Sequence, residues 1–285
     1  MALEYLSELA LNSFISLALA EDIGDGDYTT DSCIPINDRS SAKLLVKERG
    51  ILAGVNLAER IILKLDPTAK FELKIKDGQP VNVGDIAFNL TANTRAILSG
   101  ERLILNCMQR MSGIATKTKE YVELIKHTNT KLLDTRKTTP NFRILEKWAV
   151  VIGGGSNHRY NLSDMLMIKD NHIDYAGGVT KAINNAQLFL TEKQLDRKIE
   201  VEARSFDEVR EIVDCGGVFR ILLDNMTPSQ IKEALKLIPS GIETEASGNI
   251  TNNTIVDYAE SEVDYISVGA LTHSIKSLDL SLKAI

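Results

Sequence analysis

The chain has 285 residues, 44% of them apolar and 25% charged, which supports a sizeable core and lies outside the range of disordered sequences. Its formal net charge of −6 argues against general binding to nucleic acid or to an anionic membrane, so any anionic ligand must be met by a local cluster of cations. The three cysteines, Cys33, Cys107 and Cys215, are widely spaced and form no CxxC pair. That pattern speaks against a disulfide framework or a zinc site, reads as small buried apolar side chains, and fits a reducing, cytoplasmic setting.

Leu6, Leu9, Ala10, Phe14 and Leu17 share one side of a helix expected over residues 4–20, where Glu4 and Glu8 without a basic n-region speak against a signal peptide. No apolar run approaches the ~20 residues of a membrane span. Residues 22–31 then break all periodicity, and although their acidic side chains suggest a calcium loop, the EF-hand spacing and closing Glu are missing. Residues 42–47, 71–75 and 86–90 read as strands, with a helix over 57–65 and a turn at Asp77-Gly78, which together make a small α/β layer. A long helical stretch follows from about residue 95 to 125, with Gly100 and Gly113 as interruptions.

From residue 131 short β-rich runs alternate with helical segments. The runs lie at 131–134, 165–169, 198–202, 220–224, 242–245 and 265–269, with intervening helices at 142–151, 206–213, 229–237 and 253–259. Such alternation implies βαβ units and a parallel sheet, and about six units can curl into a barrel. The runs carry polar ends: Asp134, Lys169, Glu202, Asp224, Glu245 and Ser267. Active sites of α/β barrels sit at the C-terminal ends of the strands, and six polar ends in register are costly unless used, because each buried charge needs a partner.

Three segments concentrate cations: Asp134-Thr-Arg-Lys-Thr-Thr-Pro140, Gly153-Gly-Gly-Ser-Asn-His-Arg159 and Ile168-Lys-Asp-Asn-His172. Between residues 131 and 172 there are seven Lys or Arg against four Asp or Glu, a local excess within an acidic chain. Arg offers a planar fork for carboxylates and Lys a point charge. Glu202 and Asp224 end consecutive strands and, as oxygen-only donors, suit Mg2+ bound together with phosphate oxygens. The segments Ala246-Ser-Gly-Asn249 and Val268-Gly-Ala-Leu-Thr272 follow late strands, where barrels often cradle phosphate on backbone N–H groups. The sum is a site for a sugar phosphate beside a poly-acid. Two other classes compete. A Schiff-base aldolase would use Lys169 but leaves Arg136, His158 and Arg159 without a role. A non-catalytic sensor of phosphorylated metabolites leaves the charged strand ends without one.

Eight segments together resemble the quinolinate phosphoribosyltransferase family: Ser99-Gly-Glu-Arg-Leu, Gln109-Arg-Met-Ser-Gly-Ile-Ala-Thr116, the first two cationic segments above, Leu166-Met-Ile-Lys-Asp-Asn-His172, Glu200-Val-Glu202, Leu223-Asp-Asn-Met226 and Ser267-Val-Gly-Ala-Leu-Thr-His273. The resemblance implies an N-terminal α/β sandwich domain, with its linking helix, over 1–112. It implies an open, irregular TIM-like α/β barrel with a C-terminal tail over 113–285, and a homodimer. It implies phosphoribosyl transfer from phosphoribosyl pyrophosphate to quinolinate with decarboxylation, on a Mg2+ cofactor, in de novo NAD biosynthesis. By the same resemblance Arg136, Lys137, His158, Arg159 and Lys169 hold the quinolinate carboxylates, with Arg102 donated by the neighbouring subunit. Glu202 and Asp224 serve the Mg2+-bound phosphoribosyl pyrophosphate, Ser247, Gly248 and Gly269 bind its 5-phosphate, and Lys137 or Lys169 assists decarboxylation. The family's Gly after Thr-Thr-Pro is Asn141 here, and its Glu-Ser-Ser-Gly-Gly is Glu245-Ala-Ser-Gly-Asn249, which puts the phosphate loop in question at Ala246 and Asn249.

Overall fold

A computed structural model describes residues 5–285; Glu4, where the sequence pattern starts its first helix, lies outside them. The strands in chain order are β1 (Arg39–Val46), β2 (Gly50–Ile51), β3 (Lys70–Leu73), β4 (Pro80–Val81), β5 (Ile86–Asn93), β6 (Lys131–Leu133), β7 (Leu166–Ile168), β8 (Ile199–Ala203), β9 (Arg220–Asp224), β10 (Glu243–Ser247), β11 (Tyr265–Ser267) and β12 (Leu280–Ala284). The chain forms two compact units. One comprises residues up to Lys119 with Thr138–Gly154 and Ala270–Ile285; the other comprises Glu120–Lys137 and Gly155–Gly269.

In the first unit, β12, β1, β5 and β3 pair in that order as an antiparallel sheet. Period-2 alternation sends Leu44, Val46, Phe88 and Leu90 to its buried face, where Phe88 also meets the Phe71 ring at 4.3 Å between centroids. The first helix, Glu8–Ile23, is capped by Ser7, whose hydroxyl accepts the Ala10 N–H at 3.2 Å. The acidic segment after it is less irregular than its sequence implies. The helix runs through Ile23, and Asp27 then caps a second helix, Tyr28–Cys33, by accepting the Thr30 N–H at 3.1 Å. The helix Thr94–Ile125 is likewise unbroken. Its glycines permit close packing instead of ending it: a Cβ on Gly113 would stand 2.3 Å from the Lys276 carbonyl oxygen, and one on Gly100 would stand 2.9 Å from Leu65.

In the second unit, six parallel strands follow the order β6-β11-β10-β9-β8-β7, and β6 and β7 do not pair, so the barrel is open between them. Along each strand one face is apolar and covered, as in Ile199, Val201, Ile221, Leu223, Ala246 and Ile266. The other face carries Glu200, Glu202, Arg220, Asp224, Glu243, Glu245 and Ser247, which alternate with the apolar set. Glu245 therefore departs from the expectation of a polar strand end. β10 continues to Ser247, and Glu245 stands in mid-strand with no exposed surface, because Arg220 on the neighbouring strand supplies it with a donor at 3.0 Å.

The cysteines also divide. Cys107 is buried and burial pushes its thiol up to about 12, whereas Cys33 is exposed and Cys215 half-buried, so a shared buried role does not hold. Among the described residues no helix is long and apolar enough to cross a membrane.

Candidate active site

The C-terminal ends of the barrel strands gather most of the polar side chains singled out from sequence. Lys169 follows β7 and starts the helix Asp170–Ala176, where its backbone N–H donates to His172 Nδ1 at 2.9 Å. Its ammonium donates to Glu202 Oε1 on β8 at 2.9 Å, and Glu202 Oε2 accepts the Asp170 N–H at 3.3 Å. Asp224 ends β9 in register with Ser247 on β10. Partial burial, and then the charge of Glu202, push the Asp224 carboxyl above the usual carboxylate range. Two neighbouring carboxylates with only oxygen to donate fit a divalent cation shared with phosphate oxygens.

The cations lie on the loops after β6 and before β7. Asp134, fully buried just past β6, braces the second of these loops: it accepts the Asn157 amide at 2.6 Å and the His158 N–H at 2.8 Å. The Arg159 guanidinium donates to the Met165 carbonyl at 3.0 Å. Burial and the nearby Arg136 charge lower its pKa, while Glu200 and Glu202 act in the other direction. Arg136 and Arg159 are thus neighbours in a partly dry setting, an arrangement that favours an anionic guest. Lys137 is exposed on the same loop as Arg136. Arg102 belongs to the first unit, on the outer surface of the helix Thr94–Ile125.

The loop after β10 shows how the departures from the family pattern are tolerated. Asn249 and Asn141 both adopt left-handed backbone, with φ of 53° and 61°, where asparagine is the side-chain-bearing residue that best replaces glycine. Ala246 is fully buried on the covered face of β10, opposite Ser247, so the hydroxyl missing there is not missing from the barrel mouth. Gly248 has no such freedom: with φ of 104°, a Cβ would stand 2.2 Å from Asn225 Oδ1. Asn225 holds this corner together. Its N–H donates to the Ser247 carbonyl at 2.8 Å, its amide donates to Asp224 Oδ2 at 2.8 Å, and its carbonyl oxygen accepts the Asn249 amide at 3.2 Å. Gly269 follows β11, where the Val268 N–H donates to Leu133 of β6 at 3.0 Å.

One layer deeper lies a group of which reasoning from strand ends found only Glu245. Glu200 and Glu245 have no exposed surface, and His158 and Arg220 are buried beside them. His158 Nε2 stands 3.1 Å from Glu200 Oε2 and 3.5 Å from Glu245 Oε2. Burial, and for Glu245 also the Glu200 charge, hold both carboxyls well above the usual range. The signal was present in the sequence as Glu200-Val-Glu202 and Glu243-Thr-Glu245, where period 2 places both acids of each strand on one face.

Comparison with known proteins fits this geometry. Residues 27–112 match the family model described as quinolinate phosphoribosyl transferase, N-terminal domain, and residues 114–283 match that of its C-terminal domain. A tobacco (Nicotiana tabacum) protein named quinolinate phosphoribosyltransferase [decarboxylating] 1b is 47% identical over 288 residues, covering 96% of this chain and 82% of its own. The probable nicotinate-nucleotide pyrophosphorylase [carboxylating] of Bacillus subtilis is 40% identical over 277 residues, covering 97% and 94%. The crystal structure of NadC from Streptococcus pyogenes superposes with a TM-score of 0.90 at 39% identity, covering 98% and 99% of the two chains.

Proposed function

The chain belongs to the quinolinate phosphoribosyltransferase family, and from that premise we propose that its barrel mouth joins quinolinate to the ribose of phosphoribosyl pyrophosphate. The products are nicotinate mononucleotide, CO2 and pyrophosphate, a step of NAD biosynthesis. The observation that carries the reading is the pairing of opposite needs at one rim. Arg136 and Arg159 stand on two loops that Asp134 ties together, where they can meet carboxylates, while Glu202 and Asp224 lie on adjacent strands.

In this reading Arg136, Lys137, Arg159 and Lys169 clamp the two carboxylates, with His158 beneath them, and so aim the ring nitrogen at C1 of the ribose. Arg102 completes the pocket from the partner subunit of a homodimer. Ser247, Gly248 and Gly269 hold the 5-phosphate, on backbone N–H groups where side chains are small. Glu202 and Asp224 would hold Mg2+, which supplies charge neutralisation for the pyrophosphate as it leaves. Catalysis is mainly orientation and electrostatics. Once the nitrogen is bonded to ribose it is cationic, so the adjacent ring carbon can keep the electron pair when its bond to CO2 breaks. Lys137 or Lys169 assists by stabilising the negative charge left on that carbon, which then takes up a proton from water. The free cysteines at 33, 107 and 215 support a cytosolic location.

The direct test is incubation with quinolinate, phosphoribosyl pyrophosphate and Mg2+. Nicotinate mononucleotide, CO2 and pyrophosphate are expected in equal amounts, with no turnover when nicotinate, which has one carboxylate, replaces quinolinate. Absence of nucleotide with quinolinate, or equal turnover of nicotinate, overturns the reading.

A further inference from the structure

His158 has no ring nitrogen left for a ligand. Its Nδ1 accepts the Arg159 backbone N–H at 2.7 Å, and an accepting nitrogen carries no proton, so the ring hydrogen sits on Nε2. Nε2 in turn faces Glu200 at 3.1 Å and Glu245 at 3.5 Å. The ring is 6% exposed and the two carboxylates not at all. Donor atoms of the three residues lie within 4.8 Å of one another.

The surroundings explain why the ring is held so closely. Arg220 donates to Glu245 Oε2 at 3.0 Å, and to Glu243 Oε2 at 3.1 and 2.6 Å, while its guanidinium lies 4.1 Å from the centre of the Tyr265 ring. Glu243 and Glu245 thus share one guanidinium, and the His158 ring N–H, 3.4 Å from Glu200 Oε1, is a donor that Glu200 needs in a dry site. Asp134 fixes the same residue from the main-chain side through the His158 N–H. His158 is consequently pinned at Nε2, at Nδ1 and at its backbone, and Arg159 follows it directly in sequence.

We propose that Glu200 and Glu245, oriented by Arg220, are positioning residues. They hold the Nε2–H ring of His158 in one orientation, and His158 fixes the Arg159 backbone, so that the guanidinium meets a quinolinate carboxylate in one direction. This rests on the reading that Arg159 holds quinolinate, and it gives His158 the role of a post beneath the pocket instead of a direct ligand.

The test reads the ring itself. The protein has four histidines, and two-bond nitrogen–proton spectra of the histidine-labelled enzyme separate the tautomers; loss of a signal in His158→Gln identifies the residue. The expected spectrum near neutral pH is Nε2–H with Nδ1 unprotonated, in metal-free protein. An Nδ1–H ring, an imidazolium, or a stoichiometric metal ion found by elemental analysis and displaced in Glu245→Gln overturns the proposal. The isosteric double variant Glu200→Gln/Glu245→Gln replaces both carboxyls beside Nε2 with amides. It is expected to shift the His158 Nε2–H resonance, with Nδ1 still unprotonated against the Arg159 N–H, and to raise the KM for quinolinate about tenfold, as for loss of one charge-assisted hydrogen bond, with the KM for phosphoribosyl pyrophosphate unmoved. If that variant keeps both the Nε2–H resonance and the quinolinate KM, the pair only fills space and the proposal fails. Should the wild-type enzyme not bind quinolinate at all, the functional reading falls, while the Nε2–H resonance in wild type and double variant still decides this one.

Discussion

Buried acids in the two units of the molecule are driven in opposite directions. Asp66, in the first unit, accepts from Thr68 N–H and hydroxyl at 2.8 and 2.6 Å, from Asn93 N–H at 2.8 Å and from Arg39 at 3.2 Å. Those donors hold its carboxyl at about 2. Glu200 and Glu245, in the barrel, face each other and burial drives both upward, while Glu245 shares one guanidinium with Glu243. The first arrangement gives the ionised acid everything it needs and serves the fold. The second leaves charge unresolved inside a protein, which costs stability and is kept where it sets the direction of a neighbouring group.

The same contrast runs through the two sheets. The inner face of the antiparallel sheet is Leu44, Val46, Phe88 and Leu90, while in the barrel one face of β8, β9 and β10 carries charges on every strand. The largest expected effect separates them by function: Asp224→Asn lowers kcat/KM on the order of 10²–10³-fold, by loss of preorganised charge at the reacting centre, and leaves the melting temperature nearly unchanged. A melt as depressed as the activity would make Asp224 a structural acid like Asp66. The converse change, Phe88→Ala, removes a fully buried ring and should lower the unfolding free energy by about 3–5 kcal/mol, read by urea denaturation, with kcat of the folded fraction intact.

The smallest effect is in pH. The Asp66 carboxyl is depressed from 3.8 to about 2, so its contribution is fully present above the unfolded value and fades as pH falls toward the folded one. Melting curves from pH 5 down to about 2 should therefore fall more steeply for the wild type than for Asp66→Asn. Parallel slopes would remove Asp66 from the comparison.

The barrel was legible because buried parallel strands read as short apolar runs between amphipathic helices, and because its rim residues follow the runs directly. The deeper layer was less so. A strand's last charged residue looks like its end, and only the partner Arg220, contributed by a different strand, reveals that Glu245 is interior. β2 and β4 are two residues each, too short for any periodicity. β12 is five residues whose partners, Ala42 to Val46, lie far back in sequence, a pairing that local pattern cannot express. The glycines of the long helix were misread as breaks because their reason is a neighbouring chain segment, not the helix itself. Asn141 and Asn249 looked like losses until their backbone angles showed them standing in for glycine.

That late strand has a consequence for biosynthesis. β1 emerges from the ribosome early, and β12, which covers one of its edges through five residue pairs, is translated only after every barrel strand. Until then β1 presents bare N–H and C=O groups along that edge, a template for a stray strand from another nascent chain. The codons of β12 therefore act as a seal, and until they are read that edge of β1 stays open to misassembly.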